Sequence, residues 1–267
     1  MAAAGSARSP SGAASGGRDN IYWFGSRGCI FTSPSFLSGD TTRQAAVLLL
    51  TASGESVELA ALGRVVRRAA LGIAPLCTRQ LQATDVGLVS VNVHLHHPSF
   101  RAFCAIPEPG VVGLDRAAFA PFDEGLAKAC QGMLTRSEAA DLFEALVGTA
   151  AELLPRPEPR DPRTGLLREL MRANPACTLE DMARRLDLSY TTASHLFTRA
   201  MGVPLRSYQL WIKAIRAAAR MQGGARLTDI AHEVGFVDSA HLSRTWRRTY
   251  GFAPSYVTGR LRVQVFG

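Results

Sequence analysis

Three side-chain types carry the chemistry open to this 267-residue chain, and arginine leads them. Of 30 basic residues only Lys128 and Lys213 are lysines; the other 28 are arginines. A guanidinium is a flat fork of donors suited to phosphate and to the edge of guanine, although coding bias gives the same excess. Histidine comes second, at His94, His96 and His97. On a strand, His94 and His96 would share one face with Asn92 while Val91, Val93 and Leu95 fill the other. Two imidazoles on one face can begin a metal site, but no third or fourth ligand is indicated; a solvated strand end before Pro98 is the other reading. Third are the cysteines at 29, 77, 104, 130 and 177. They are odd in number, irregularly spaced and without a CxxC, so they read as reduced thiols, with a redox-sensing role left open. Tyr22-Trp23-Phe24 suits either ligand stacking or a sheet core. No Ser/His/Asp or Cys/His constellation and no Gly-rich phosphate loop has recognisable local context. The chain is therefore expected to be no enzyme and to need no cofactor or metal.

The charge is unevenly placed. Residues 1–160 hold 14 Lys and Arg against 14 Asp and Glu, whereas residues 161–267 hold 16 against 8, so the whole net charge of +8 lies in the last 107 residues. That asymmetry points to a polyanionic partner for the C-terminal part alone. The longest apolar runs fall far short of the ~20 residues a membrane-spanning helix needs, so no membrane partner is expected. Residues 1–18 are rich in Ala, Gly and Ser, lack the apolar stretch of a signal peptide, and are expected to be a disordered tail of a cytoplasmic protein.

The elements follow from periodicity. Between Ile21 and Leu95, short β-type runs alternate with turn residues, as in a small sandwich or barrel. Ala45–Thr51 and Ser56–Leu62 are expected to form one hairpin, and Arg79–Gln82 with Val86–Leu95 a second. Helices are expected at Phe122–Met133 and Ser137–Leu154, the latter capped by Ser137. Four prolines between Pro155 and Pro162 then make a stiff spacer. Beyond it the pattern is helical and repeats: Leu179-Glu-Asp-Met-Ala183 matches Leu227-Thr-Asp-Ile-Ala231 at an offset of 48, and Phe197 with Gly202 matches Trp246 with Gly251 at 49. In each copy a short helix (Leu179–Leu186; Thr228–Val234) meets a tight turn and a second helix opens on an N-cap, Ser189 or Asp238. This is helix-turn-helix grammar written twice. Pro204–Gln222 reads as a connecting helix, apolar along Leu205, Tyr208, Trp211, Ile215, Ala218 and Ala219, and basic along Arg206, Lys213, Arg216 and Arg220. At ~1.5 Å per residue it spans roughly 28 Å, near the ~34 Å between successive major grooves on one duplex face.

Residues 166–257 resemble the DNA-binding domain of the AraC/XylS family of bacterial transcription regulators. The match is strongest from Asp229 to Pro254, DIAHEVGFVDSAHLSRTWRRTYGFAP, and weaker in the first copy from Met182 to Gly202. Ala193, Trp246 and Tyr256 depart from the family pattern, all at packing positions. Asp40 to Gly54 resembles a strand-turn segment of the family's cupin-like effector domain, with Arg43-Gln44 where a histidine often stands. The resemblance implies an α+β chain: an N-terminal cupin-like β-domain with following helices, then an all-α domain with two helix-turn-helix motifs joined by a linker helix. The implied boundaries are 19–154 for effector binding and dimerisation, 155–165 for the linker, and 166–267 for DNA binding. The implied function is a sequence-specific regulator answering to a small-molecule effector, with a cupin-type metalloenzyme, or a metal or redox sensor fused to a DNA-binding module, as the alternative. Implied base contacts are Thr191, Ser194 and His195 on the first reading helix and Ser239, Ala240, His241 and Arg244 on the second. Arg199, Arg206, Arg247 and Arg248 are placed for phosphates. The implied partners are double-stranded DNA across two successive major grooves, an unidentified effector, a second copy in a homodimer and, for an activator, RNA polymerase. The implied location is the bacterial cytoplasm, with the nucleoid.

Overall fold

The computed structural model describes residues 19–159, 161–221, 225–250, 252–255 and 262–265; the expected tail at 1–18 lies outside them. Two sheets face each other. The strands are β1 (Asn20–Trp23), β2 (Gly28–Ser33), β3 (Phe36–Thr42), β4 (Ala46–Thr51), β5 (Val57–Ala61), β6 (Arg64–Arg68), β7 (Ala70–Ile73), β8 (Thr78–Ala83), β9 (Leu88–Val93), β10 (Val111–Gly113) and β11 (Arg262–Val265). The larger sheet runs β10-β7-β4-β9-β2-β1-β11 and the smaller β3-β8-β5-β6. The sequence pattern explains the partition. β2, β4 and β9 are buried along their whole length, as strands covered on both faces must be, and they form the centre of the larger sheet. β5 and β8 alternate buried and exposed residues and lie in the outer sheet, with the arginine-bearing β6 blunting its edge.

Neither expected hairpin forms. β4 pairs with β7 and β9, while β5 pairs with β6 and β8; likewise β8 pairs with β3 and β5, while β9 pairs with β2 and β4. Both turns carry the chain from one sheet to the other, because each joins a fully apolar run to an alternating one, and the two need different layers.

A short helix α1 (Phe100–Cys104), a 3-10 turn (Arg116–Phe122), α2 (Asp123–Gln131) and α3 (Arg136–Leu153) cover the other face of the larger sheet. The cap of α3 is Thr135, not Ser137. The Thr135 hydroxyl accepts from the Glu138 N–H while the Glu138 carboxylate accepts from the Thr135 N–H, a capping box that Ser137 has no equivalent for. The C-terminal part contains α4 (Thr164–Ala173), α5 (Leu179–Leu186), α6 (Tyr190–Met201), α7 (Leu205–Met221), α8 (Leu227–Glu233) and α9 (Ser239–Tyr250). No helix among the described residues is long and apolar enough to cross a membrane.

The helices split their packing between two surfaces of the β-structure. One apolar cluster runs unbroken from Ile30, Leu48 and Val91 through Phe103 and Phe143 to Met182, Phe197 and Trp211. A second joins Ile21, Trp23, Cys29 and Phe31 of β1 and β2 to Ala214, Ile230, Leu242, Trp246 and Tyr250. The smaller sheet covers only part of one face of the larger; α7, α8 and α9 cover the β1–β2 part it leaves open. The chain then returns as β11, parallel to β1 in register from Asn20↔Arg262 to Trp23↔Val265. At the end of α6, Gly202 has φ +76°, and a Cβ there would meet Cys104 Sγ at 2.4 Å and Phe100 at 2.9 Å. Gly202→Ala is expected to cost about 2–4 kcal/mol from left-handed strain plus overpacking. Thermal unfolding checks this, and Cys104→Ala in the same chain should return part of the loss.

Candidate nucleic-acid interface

The two helix-turn-helix units are built by the same backbone bonds. The Leu188 N–H donates to the Ala183 carbonyl at 2.9 Å, and the Phe236 N–H to the Ala231 carbonyl at 2.8 Å, which closes each first helix and places an apolar residue inside the turn. Asp187 (φ +53°) and Gly235 (φ +82°) supply the left-handed residue that this reversal needs. Ser189 caps α6 by accepting from the Thr192 N–H, and Asp238 caps α9 by accepting from the His241 N–H at 2.6 Å. The first pair of bonds repeats at an offset of 48 and the caps at 49, so the second turn holds the extra residue that the sequence shows.

Each reading helix has one buried and one open face. Ala193, Leu196, Phe197, Ala200 and Met201 of α6 are buried, while Thr191, His195 and Arg199 are exposed and Ser194 is half-buried. In α9, Leu242, Thr245, Trp246, Thr249 and Tyr250 are buried; Ala240, Arg244, Arg247 and Arg248 are exposed at i, i+4, i+7 and i+8, one face of the helix. Offsetting by 49 puts Arg244 where α6 has His195, and Arg247-Arg248 where it has Thr198-Arg199. The second helix therefore carries the greater charge. Ser239 and His241 are half-buried, and the His241 ring meets Phe236 edge-on at 5.1 Å, so packing in the turn already uses part of it. Arg206 is exposed at the start of α7. Arg199 adds to the positive field on Asp161, after the bonds from Arg163 that hold the Asp161 carboxyl down at about 2.

The connector differs from the expected basic stripe at two points. Lys213 Nζ donates to the Gly235 carbonyl at 2.6 Å and stands 5.8 Å over the Phe236 ring, so it braces the second turn. Arg220 pairs with Glu233 of α8 at 2.5 Å. Both contacts fix α7 to the second unit. Ala219 is exposed where an apolar seam was expected; Ala214 and Ala217 take the buried positions, because the seam follows the ~100° step through Trp211.

The side of α7 and α9 remote from Arg244 is seated on the β-structure by polar as well as apolar contacts. Gln44, 1% exposed in the β3–β4 connection, donates through Nε2 to the Ser207 carbonyl at 3.0 Å and accepts at Oε1 from the Thr249 hydroxyl at 2.9 Å. One amide thus holds α7 and α9 together. Trp211 lies edge-on to His96 at 4.6 Å and to His94 at 6.0 Å, and Trp23 meets Tyr250 at 5.2 Å. The role of Gln44 was missed in the sequence because nothing local marks a polar residue that bonds across more than 160 positions.

β9 ends at Val93, so strand alternation does not extend to the histidines. His94 is fully buried among Trp23, Trp211 and Tyr250; His96 Nε2 bonds the Tyr208 hydroxyl at 3.1 Å; His97 Nε2 bonds Glu144 at 3.2 Å. Each imidazole faces a different partner, and no cluster of three or more His, Cys, Asp or Glu among the described residues is placed to hold a metal. Burial raises all five thiols, Cys29 and Cys104 to about 12 and Cys130 to about 11, which disfavours the reactive thiolate.

Comparison with known proteins agrees with this geometry. Residues 182–260 match the family described as a helix-turn-helix domain. ToxT from Vibrio cholerae O395 is similar in fold, at 13% identity and a TM-score of 0.51, over 85% of this chain and 94% of that one. The unsaturated fatty acid-bound ToxT from Vibrio cholerae strain SCE256 matches at 11% identity and 0.50, over 85% and 92%. The AraC-like transcriptional activator CuxR matches at 14% and 0.37, over 75% and 78%. No curated protein sequence matches the chain. Twin helix-turn-helix units joined by a helix and seated on a β-domain thus make up a chain whose residues 182–260 match a helix-turn-helix domain and whose fold is similar to that of ToxT.

Proposed function

We propose that this regulator lays α6 and α9 into two successive major grooves and that a small-molecule effector in the β-domain adjusts how firmly the two helices are held. The observation that carries the first part is the repeated turn geometry, which presents an open polar face from each helix on either side of a connector of 17 residues, roughly 25 Å long. Base contacts are proposed for Thr191, Ser194, His195, Ser239, Ala240, His241 and Arg244, and phosphate contacts for Arg199, Arg206, Arg247 and Arg248. Residues 19–154 would bind effector and form the homodimer, 155–165 would link, and 166–267 would bind DNA and, in an activator, meet RNA polymerase. DNase footprinting on the region upstream of its own gene tests this: a defined protected stretch is expected, and uniform weak protection would instead indicate a sequence-independent architectural binder.

The effector part rests on Gln44, which ties the β-domain to both α7 and α9. Gln44→Ala removes the shared bridge and leaves the buried Thr249 hydroxyl with only its bond to the Thr245 carbonyl. A stability loss of about 1–3 kcal/mol is expected, together with DNA affinity that no longer responds to effector. Affinity measured with and without effector checks it; an unchanged response would show that coupling runs elsewhere.

A further inference from the structure

Each reading helix opens beside an exposed apolar side chain that neither the packing of the protein nor the contacts proposed above make use of. Val237 is 77% exposed, more than any other large hydrophobic among the described residues, and Tyr190 is 53% exposed. Tyr190 is the first residue of α6, and Val237 stands directly before Asp238, the cap of α9. Val237 is also the extra residue of the second turn. Phe236 bonds Ala231 as Leu188 bonds Ala183, so the apolar place inside the turn is already filled when the chain reaches Val237. An apolar residue just before a cap often packs on the fourth helical residue. Here that residue is Leu242, which is fully buried, while Val237 stays in solvent. Tyr190 likewise takes no part in the core, since the residues that α6 buries begin at Ala193. One such side chain is ordinary on a protein surface. Two at the matching ends of twin reading helices, next to Thr191 and Ser239, stand where base edges lie when such a helix enters a major groove by its N-terminal residues.

We propose that Tyr190 and Val237 are specificity-determining residues, each covering the C5-methyl group of a thymine, one in each half of the DNA site. In the major groove thymine alone presents an apolar group; the other features of the base edges are hydrogen-bond donors and acceptors. Thr191, Ser194, His195, His241 and Arg244 have the chemistry for donors and acceptors. An aromatic or aliphatic surface is what gains from a methyl group, because the contact takes apolar area on both sides out of water. Burying one methyl-sized group corresponds to roughly fourfold in affinity at each half-site. Tyr190 acts here through its ring, so Tyr190→Phe should keep the preference. The assignment rests on the reading of α6 and α9 as groove-binding helices and adds the base that the start of each one selects.

The test uses the full chain to select duplexes from a random pool. The enriched duplex is then remade with deoxyuridine in place of thymine in one half-site at a time, which removes the methyl and keeps every hydrogen-bonding group. Wild-type affinity is expected to fall about fourfold for each half-site treated in this way. Tyr190→Ser should bind the thymine and deoxyuridine duplexes equally in one half-site and keep the wild-type response in the other; Val237→Ser should do the reverse. Both side chains are exposed, so both variants should fold with unfolding midpoints close to that of the wild type. Tyr190→Phe and Val237→Ile should retain the full response. The assignment is overturned by a wild type indifferent to the methyl, by a selected half-site without thymine, or by serine variants that keep the wild-type response. Serine variants that lose affinity equally for both duplexes also overturn it and place the side chains on the sugar-phosphate backbone. A pool that yields no enriched sequence defeats sequence-specific binding and this assignment together, whereas an enriched site indifferent to the methyl defeats the assignment alone.

Discussion

Trp211→Ala is expected to lower stability by about 3–5 kcal/mol, as deletion of a fully buried indole does when its surroundings cannot close over the space. Its near neighbours are three rings. On one side stand His94 and His96 at the end of the central strand β9, and on the other Tyr208, 6.0 Å away on the same helix. The indole Nε1 is buried without a hydrogen-bond partner among the described residues. Trp211→Phe therefore removes an unpaired donor and should cost far less than Trp211→Ala, which separates lost packing from lost polarity. Because α7 carries a reading unit at each end, the alanine variant should also lose DNA affinity at temperatures where far-UV ellipticity is still native. Chemical denaturation of the three proteins, with DNA binding measured in parallel, checks both statements.

The same cluster makes the fold sensitive to acid. His94 is held neutral, its pKa pulled from 6.5 to about 3 by burial, opposed by the Gly25 carbonyl and reinforced by His96 and His97. The unfolded chain takes up a proton near pH 6.5 and the folded one does not until about pH 3. The stability that comes from a neutral His94 is thus complete above pH 6.5 and drains away as pH falls from there towards 3. Urea midpoints across that window should fall with pH, and His94→Phe should flatten part of the slope.

What the sequence discloses and what it hides follow from how local each signal is. The reading units are written in consecutive residues: Ala183 and Ala231 for the crossing, Leu188 and Phe236 for the turn, Ser189 and Asp238 for the cap. Every one of those features stands where the residues indicated. The strand pairings were hidden because a hairpin and a sheet-crossing turn use the same Ala-Ser-Gly-Glu chemistry; only the buried-throughout pattern of β4 against the alternation of β5 tells them apart. Thr135 was overlooked as a cap because Ser137 is an equally good capping residue and only the partner three positions on, Glu138, decides between them. The seating of α7 and α9 on the β-domain was invisible. It depends on Gln44, Trp23 and Tyr208, which are ordinary residues until tertiary contacts join them across the chain.

Arg244→Ala is expected to cost about 1–3 kcal/mol of discrimination, roughly five- to 150-fold in binding to the specific site, while binding to random DNA falls little. Arg244 stands on the open face of α9, six residues after the cap Asp238 and four after Ala240, where the backbone of a helix in the major groove comes close to base edges. It is the first of three arginines along that face and has no ion pair among the described residues, so its five donors are available. Arg247 lies most of a turn further on, towards the end of the helix, where side chains reach the phosphate backbone. Arg247→Ala should weaken specific and random binding alike and reduce the slope of log affinity against log salt by ~1, since each phosphate contact releases about one counterion. The pair of variants separates reading from gripping on a single helix. Equal losses on specific and random DNA for Arg244→Ala would move Arg244 to the phosphate class and leave His195 and His241 as the longest side chains among the base contacts proposed alongside it. Since His241 already rests on Phe236, that outcome would shift most of the sequence preference to the first helix, and exchange of bases in the half-site facing α6 would then have the larger effect.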